Sequence, residues 1–179
     1  MYNRQQVVWY AMRATFNREM LAKEMLDKEG IENFIPLRYQ VTKHGDKKQI
    51  ELVPIVHNML FVRTDKATIQ RIKSEVPYLQ YLTNPREDKN HPIIVPDEQM
   101  NLFMLISSTY DNSLLYFDPQ ELQLSKGVRV RIHGGLLDGY EGLYVKVQGK
   151  RNRRVVFMLS NVLAVAKVVA HPDVVEILK

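Results

Sequence analysis

The sequence predicts an α+β fold in two parts: an open sandwich of a sheet and helices, followed by a small closed β-barrel. Over residues 1–108, strand-like and helix-like patterns alternate in the order β-α-β-β-α-β-α. After residue 121, the apolar segments have the length and alternation of short strands. Five of the chain's eight glycines lie within residues 134–149, where they allow the sharp turns that a small barrel needs.

The first strand and the first helix follow from the spacing of their apolar residues. Val7–Ala14 is short, apolar and aromatic, which is typical of a buried strand. Over residues 17–29, apolar side chains recur at helical spacing, at Leu21, Ala22, Met25 and Leu26. Gly30 follows directly, at the position where a helix end prefers glycine. We therefore expect a strand over 7–14 and a helix over 17–29.

Two extended segments follow, separated by the polar turn His44–Lys48. The segment 32–43 contains Pro36, which opposes helix formation. The segment 49–64 is a second extended run that is rich in apolar and β-branched residues. We expect the two segments to pair as a long hairpin.

The second and third helices carry recognisable start signals. Asp65 can cap a helix whose apolar residues share one face, at Ile69, Ile72 and Val76. Residues 78–83 are predicted to form a strand and residues 84–92 a polar loop. The last helix of this part begins near Pro96, with acidic residues in its first turn at Asp97 and Glu98.

The second part begins after an aperiodic stretch. Residues 112–121 break the apolar pattern, so we expect a linker there, with domains at 1–111 and 122–179. In VRVRI, at residues 128–132, valine and isoleucine alternate with arginine, as in a strand with one buried face. Further strand-like runs follow at short intervals, which is typical of a small barrel.

The composition excludes several classes of protein. The chain has no cysteine, which excludes disulfides, thiol catalysis and cysteine-ligated zinc. Its first apolar segment is interrupted by Arg13, and its longest apolar runs fall far below the ~20 residues that span a bilayer. We therefore expect a cytoplasmic protein with no membrane contact, and a monomer as the simplest state.

No arrangement of residues in the sequence indicates an enzyme. The sequence has no HExxH, Walker, GxGxxG or GxSxG motif, and its histidines are dispersed, at His44, His57, His91, His133 and His171. The acidic residues in the polar loops are no evidence for catalysis, because acidic side chains in such loops are normally solvated. We expect no catalytic residues, no metal and no cofactor.

The positive charge is concentrated near the end of the chain. Residues 1–118 hold fifteen Lys/Arg and fifteen Asp/Glu, whereas residues 119–179 hold ten and five. One basic loop contributes much of this excess, through Lys150, Arg151, Arg153 and Arg154. Such an excess is typical of contact with nucleic acid or an acidic partner, and equally of a solvated hairpin tip. The composition leaves these interpretations open.

The glycine-rich stretch KGVRVRIHGGLLDGYEGLYVKV resembles the KOW motif. The matching positions are Gly127, Val130, Ile132, Gly134, Gly139, Glu141 and Gly142. Gly135 and Leu136 stand where the motif usually has proline and phenylalanine. The resemblance implies an SH3-like barrel.

The stretches before it resemble the NusG superfamily. WYAMRATFNRE, AKEML and GIENFIPL resemble the start of the NusG N-terminal domain. VPIVHNMLFVR, VPYLQYLT and IIVPDEQMNLF resemble the UpxY branch, the specialised NusG paralogues of capsular-polysaccharide operons. The similarity covers nearly the whole chain in the family's order. It implies an antiparallel sheet flanked by helices, joined to a KOW barrel, and a transcription elongation or antitermination factor.

The resemblance also implies that the first domain binds helices on the clamp of RNA polymerase's largest subunit. The family's Phe-Pro-Gly/Asn-Tyr signature corresponds here to Val56, His57, Asn58 and Met59, and only Asn58 matches it. Two aromatic residues complete the set: Tyr10, from the opening Trp-Tyr, and Phe61, from the strand that follows the signature. The implied polymerase-binding residues are therefore Tyr10, Val56, His57, Asn58, Met59 and Phe61. For the aromatic residues of this set, packing in the protein core is the alternative.

Strand alternation supports a binding surface on the strand that follows the signature. Met59, Phe61 and Arg63 fall on one face, opposite Leu60 and Val62. If both faces are apolar, helices cover one and a partner covers the other. We expect Leu60 and Val62 in the core, and we regard Met59 and Phe61 as candidates for the partner's side.

Several basic residues are candidates for contact with nucleic acid. Arg13, Arg18 and Arg86 are candidates for the non-template DNA strand, and the basic loop is a candidate for DNA or nascent RNA. A solvated helix face or loop is the alternative for each. The resemblance implies that the KOW barrel contacts a small-subunit ribosomal protein or the termination factor Rho.

Two other functions stay open at this point. One is a general NusG-type elongation factor, and the other is a KOW-containing ribosome- or RNA-binding protein with no polymerase role. The departures from the signature at Val56, His57 and Met59, together with the stretch YLQYL, favour a specialised factor over a general one.

Overall fold

The computed structural model describes residues 6–84, 91–121, 126–146, 153–168 and 174–178. The chain divides into two compact units, Met1–Tyr110 and Asp111–Lys179. The first unit carries helices and strands, and the described part of the second is built mainly from strands.

The first unit is an antiparallel sheet with helices and a separate hairpin. In chain order it contains β1 (Val8–Ala14), α1 (Glu19–Lys28), β2 (Glu32–Phe34), β3 (Leu37–His44), β4 (Lys47–Pro54), β5 (Met59–Thr64), α2 (Lys66–Glu75), β6 (Leu79–Tyr81), β7 (Ile94–Val95) and α3 (Asp97–Ser107). The main sheet has the order β2-β5-β1-β6, with β7 also paired to β1. β3 and β4 form their own two-stranded sheet. This arrangement confirms the predicted α+β class.

Helices α1 and α2 cover one face of the main sheet. The helices contribute to the buried cluster through Ala22, Leu26, Ile69 and Ile72. The sheet contributes to the same cluster through Tyr10, Met12, Ala14, Leu60, Val62 and Leu79. Full burial of one Leu or Ile side chain stabilises a fold by about 1.5–3 kcal/mol, so a cluster of this size contributes strongly to the stability of the unit.

Helix α3 covers part of the opposite face of the sheet. The ring of Phe103 on α3 lies 5.7 Å from the ring of Phe61 and 5.7 Å from the ring of Phe34, in both cases edge to face. Trp9 and Ala11, which lie on the same face as Phe61, are also buried. Over this part of their length, β1 and β5 are therefore covered on both sides.

The predicted helix signals of α1 and α2 are confirmed. The Asp65 carboxylate accepts hydrogen bonds from the backbone N–H groups of Ala67 and Thr68, at 2.9 and 3.0 Å. Such an N-cap stabilises a helix by about 1 kcal/mol. Gly30 follows α1 with a φ of +69°, which glycine adopts without strain.

The predicted extended segment 49–64 is two strands rather than one. β4 ends at Pro54, and β5 begins at Met59 in a different sheet. Between them, Asn58 takes a left-handed conformation with φ +61°, which turns the chain. Asparagine is one of the few residues besides glycine that adopts this conformation readily. The β3–β4 hairpin is confirmed, but it ends before the signature residues.

The second unit is an antiparallel sheet whose strands pair largely with their neighbours in sequence. It contains β8 (Leu115–Phe117), β9 (Val128–Ile132), β10 (Glu141–Val145), β11 (Arg154–Leu159), β12 (Leu163–Val168) and β13 (Val175–Ile177). The order in the sheet is β13-β9-β10-β11-β12-β8. One buried cluster is formed by Val145, Val156, Ala164 and Ala166, against which Leu115, Phe117, Leu143 and Met158 pack.

The predicted linker, residues 112–121, contains one of these strands. β8 pairs with β12, with Phe117 opposite Ala164. Just before β8, the Ser113 carbonyl accepts a hydrogen bond of 2.7 Å from Nη1 of the buried Arg154. A three-residue strand is too short to show the alternation by which strands are predicted, so the sequence pattern missed it.

The crowded glycines have two different causes. Gly134 and Gly139, in the turn between β9 and β10, both have φ +81°, a region that favours glycine. Gly142 instead lies where β10 approaches β11 closely. A Cβ atom there would lie 2.6 Å from Val155 Cγ1 and 2.9 Å from the carbonyl oxygen of Val156. The packing of β10 on β11 therefore requires glycine at this position.

We expect Gly142→Ala to destabilise the second unit by about 1–3 kcal/mol, the usual cost of overpacking. Gly135→Asn is the matched control, because Gly135 has φ +70° with nothing within 4 Å of an added Cβ, and asparagine tolerates this conformation. Amide hydrogen exchange in β10 and β11 of the full chain measures the difference. Equal protection in both variants would contradict the steric argument.

Candidate functional site

The signature residues form the turn that leads into β5, and this turn is bound to the end of β1. The backbone N–H of Ala14 donates to the carbonyl oxygen of Asn58 at 3.1 Å. The backbone N–H of Asn17 donates to the side-chain Oδ1 of Asn58 at 2.8 Å. We call residues 15–19 and 56–59, which these two bonds hold together, the Phe16–Asn58 corner.

The backbone of the corner is strained. Phe16, Asn17 and Asn58 have φ values of 62°, 53° and 61°. The left-handed conformation costs a residue with a Cβ roughly 1–2 kcal/mol, and an aromatic residue rarely adopts it. Backbone strain of this kind persists only where the surroundings enforce it, and it is concentrated at functional sites.

The strained backbone directs Phe16 into solvent. Its side chain is 82% exposed, the highest value among the large apolar residues that the structure describes. The Arg18 guanidinium carbon lies 5.6 Å from the centroid of the Phe16 ring and 5.2 Å from that of the Tyr78 ring, within the range of cation–π contacts. Phe16 is therefore an exposed aromatic side chain with a supporting contact.

The corner also contains a buried carboxylate, that of Glu19. Glu19, in the first turn of α1, is buried, and its Oε1 lies 3.4 Å from Nδ1 of His57, whose side chain is 67% exposed. Glu19 Oε2 has no hydrogen-bond partner among the residues that the structure describes. The positive end of the helix dipole favours an acidic side chain in this position. Glu19 thus lies within ion-pair distance of His57 at the start of α1.

The sheet face beside the corner is left uncovered by α3. Arg13 pairs with Met59 across β1 and β5, and with Gln80 across β1 and β6. Arg13 and Gln80 are exposed and Met59 is half-buried, whereas Ala11 and Phe61, one step further along the same face, are buried. The accessible part of this face is therefore its end, next to the corner.

Two of the expected polymerase-binding residues, Tyr10 and Phe61, are corrected by the structure. Tyr10 is buried on the α1–α2 side, where its ring lies 5.8 Å from that of Tyr81. Phe61 is fully buried beneath Phe103 of α3. The apolar character of both strand faces reflects helices on both sides, so neither residue can touch a partner while the unit stays folded.

The other four expected polymerase-binding residues, which form the signature, have different environments. His57 is exposed, Val56 and Met59 are half-buried, and Asn58 is half-buried with its side chain bonded inside the corner. These residues stay candidates, with Asn58 in a positioning role. Phe16 is a candidate that the sequence did not indicate, because neither its exposure nor its φ has a signal in the residue order.

Some of the candidate nucleic-acid residues are exposed, one is buried, and the others lie outside the described residues. Arg13 and Arg18 are exposed. Arg153 is exposed, with its guanidinium carbon 5.7 Å from the Tyr144 ring. Arg154 is buried at the start of β11 and bonded to Ser113, so its expected place in an exposed basic loop is wrong. Three further candidates lie outside the described residues: Arg86, Lys150 and Arg151.

The described residues of the KOW-like motif serve the packing and the ion pairs of the second unit. Val130 and Ile132 are buried, and Gly127 directly precedes β9. Glu141 accepts hydrogen bonds from Nη2 of Arg131 at 2.7 Å and from Nη2 of Arg129 at 3.1 Å. The bond from Arg131 is the main cause that lowers the pKa of the Glu141 carboxyl. The arginines of β9 are thus already paired.

The described residues contain neither a cluster of potential metal ligands nor a helix that could cross a membrane. Within the described ranges, no three His, Cys, Asp or Glu side chains are grouped so as to hold a metal ion. None of the helices in the described part of the chain is long and apolar enough to cross a membrane.

Comparison with known proteins identifies a family and solved structures of similar fold. A family model described as "Transcription termination factor nusG" matches residues 7–104, a range that contains the whole corner. The solved structure titled "Domain interaction in Thermotoga maritima NusG" is similar, with a TM-score of 0.52 and 16% identity over 97% of this chain and 98% of that chain. At this identity the structural similarity shows the fold alone. A search of curated proteins found no match.

The burial of Phe61 predicts opposite results for two substitutions on one strand face. Phe61→Asp removes a buried ring, which costs about 3–5 kcal/mol even when alanine replaces it, and also buries a carboxylate. Met59→Asp, at the half-buried end of the face, should leave the unit folded. Fluorescence of the single tryptophan, Trp9, during urea unfolding reports on this unit. A Phe61→Asp protein as stable as the parent would contradict the packing under α3.

Asn58 is expected to fix the corner through both its backbone and its side chain. Asn58→Gly keeps the left-handed backbone but loses the bond to Asn17, whereas Asn58→Ala loses both advantages. We expect the alanine variant to be less stable than the glycine variant by about 1 kcal/mol in urea unfolding. Asn101→Ala, at an exposed position of α3, is the control. An equal loss for the two Asn58 variants would show that the backbone conformation is unimportant.

Proposed function

The chain belongs to the NusG family, and on that premise we propose that its first unit docks on RNA polymerase through the Phe16–Asn58 corner. Members of this family are transcription elongation factors that bind RNA polymerase, and the family is not one of enzymes. The proposal concerns which residues make the contact, which polymerase element receives them and which genes are served.

The observation that carries the proposal is the exposed Phe16 ring on a strained, bonded turn. Aromatic anchors supply much of the energy of protein interfaces because they bury a large area with few rotatable bonds. A side chain that is held in place before binding loses less conformational entropy when it docks. The strain of the corner is therefore consistent with a preformed contact.

We propose helices on the clamp of the polymerase's largest subunit as the partner of the corner. A helix tip is recognised by apolar side chains that converge on it, with polar groups at the edge. Phe16, Val56 and Met59 supply the apolar part, and His57 supplies the polar edge. This set differs from the sequence-based one in three ways: Tyr10 and Phe61 are removed, Phe16 is added, and Asn58 positions the corner instead of touching the partner.

The finer proposal is an antiterminator of a polysaccharide operon, acting in the cytoplasm where the polymerase acts. The support is the similarity of VPIVHNMLFVR, VPYLQYLT and IIVPDEQMNLF to the UpxY branch, together with the unusual signature at Val56, His57 and Met59. Arg13 and Arg18 are the exposed cations from which we expect a contact with non-template DNA. For the second unit we propose a ribosomal protein of the small subunit or Rho as the partner.

The docking proposal predicts that Phe16→Ala combined with His57→Ala weakens binding to purified core RNA polymerase at least about tenfold, as loss of an interface hot spot does. Val7→Ala is the matched control, because Val7 is an exposed apolar residue that lies before β1, whereas the corner follows it. Binding is measured with the immobilised full chain, and Trp9 fluorescence verifies folding. Unchanged affinity of the folded double variant would remove the corner from the interface.

The same proteins test the role in transcription. In vitro transcription through the leader of a polysaccharide operon should yield more read-through with the parent protein than with the double variant. An effect of equal size on unrelated templates would favour a general elongation factor. Polymerase binding without any effect on pausing or termination would contradict the antitermination proposal while leaving the docking site in place.

A further inference from the structure

An apolar stripe lies exposed along one face of the β3–β4 hairpin. Residues that are directly opposite on paired strands share a face, and two such pairs form the stripe: Tyr39 with Leu52, and Val41 with Ile50. All four side chains are exposed, and Ile50 is 73% exposed. The stripe is separate from the Phe16–Asn58 corner in both sequence and sheet.

The base of the hairpin is packed against the rest of the first unit. Leu37 packs against the α1–α2 cluster, and the ring of Tyr39 lies 5.1 Å from that of Tyr110. A two-stranded hairpin is marginally stable in water unless its apolar face is covered. A contiguous exposed apolar patch of this kind marks an interaction site more often than a chance surface.

The charges on the hairpin point to the kind of partner. The stripe ends at the cross-strand pair Lys43 and Lys48, the only charged residues on its face. Four cations of the hairpin have no ion-pair partner among the described residues: Arg38, Lys43, Lys47 and Lys48. The hairpin has two acidic residues. Asp46 lies in its turn, and Oε1 of Glu51 lies 3.0 Å from Nε2 of His44. The face therefore offers apolar area with unneutralised positive charge at one end.

We propose that this stripe is a docking surface for an acidic amphipathic helix of a partner protein. The apolar side of the helix covers the stripe, and its acidic residues meet Lys43 and Lys48. Charge complementarity orients the helix and excludes basic competitors, while burial of the apolar side chains supplies most of the affinity.

The dimensions of the hairpin fit one helix. Two strands about 4.8 Å apart present a face of roughly the width of an α-helix, which measures ~10 Å across. From Tyr39 to Lys43 the strand rises ~13 Å, the length of about nine helical residues. Apolar residues spaced three and four apart on the partner then follow the stripe from Tyr39 to Lys43.

The aliphatic centre of the stripe favours protein over nucleic acid. Val41, Ile50 and Leu52 can neither stack on bases in the manner of aromatic rings nor bind phosphates. Burying them gains free energy only against an apolar surface. The lysines alone would suit a phosphate backbone, but they lie at the end of the stripe and not along it.

The test uses the full chain and two synthetic helical peptides of about fourteen residues, long enough to span the ~13 Å from Tyr39 to Lys43. Both carry leucine at the apolar positions, and the remaining positions are glutamate in one peptide and lysine in the other. Fluorescence anisotropy of the labelled peptides measures the affinity. We expect the acidic peptide to bind at least about tenfold more tightly than the basic one.

Three double variants identify the surface. Lys43→Glu with Lys48→Glu should reverse the preference, so that the basic peptide binds more tightly. Val41→Ser with Ile50→Ser should weaken the acidic peptide about tenfold. Gln40→Ser with Gln49→Ser, on the opposite face of the same strands, is the matched control and should change nothing. Trp9 fluorescence shows that each variant is folded.

Several outcomes would overturn the proposal. Absence of saturable binding by the acidic peptide is one, and an affinity that does not respond to the lysine reversal is another. Labelled duplex DNA that binds through Lys43 and Lys48 but is unaffected by Val41→Ser with Ile50→Ser would assign the face to nucleic acid. A dimer in sedimentation that this serine pair abolishes would assign it to a second copy of the chain.

Discussion

The pairing of β1 with β5 is the constraint on which the first unit depends. Six cross-strand pairs run from Val8 opposite Thr64 to Arg13 opposite Met59, and the two strands supply side chains to both buried layers. The same register brings the residues after β1 beside the residues before β5. A slip of one residue would turn every side chain to the other face and separate Asn17 from Asn58. Core and corner are therefore consequences of one alignment.

Much of the fold could be predicted because its signals are local. The Asp65 cap, the glycine after α1 and the alternation of Leu60 and Val62 against Phe61 each depend on neighbouring residues, and all are confirmed. The division of residues 49–64 between two sheets was missed, because it depends on the left-handed turn at Asn58. Strand β8 was missed because three residues carry no measurable period.

The candidate site was harder to predict because exposure is a tertiary property. Alternation placed Phe61 on the correct face, but it could not show that Phe103, which is distant in sequence, covers that position. Arg154 has the sequence context of a charged loop, yet it begins a strand and is buried. Phe16 precedes a helix in an unremarkable context, and only its backbone conformation makes it prominent. The resemblance identified Asn58, but not Phe16 and Asn17, the residues of the turn to which Asn58 is hydrogen-bonded.

The bond between Arg154 and Ser113 determines where the chain can be divided. A fragment of the second unit that begins at residue 122 lacks β8, so β12 would present an unpaired edge for aggregation. The buried guanidinium of Arg154 would lose its carbonyl acceptor at the same time, leaving a cation without compensation. A fragment intended to carry this unit's own strands and contacts therefore has to start no later than Asp111, where the compact unit begins.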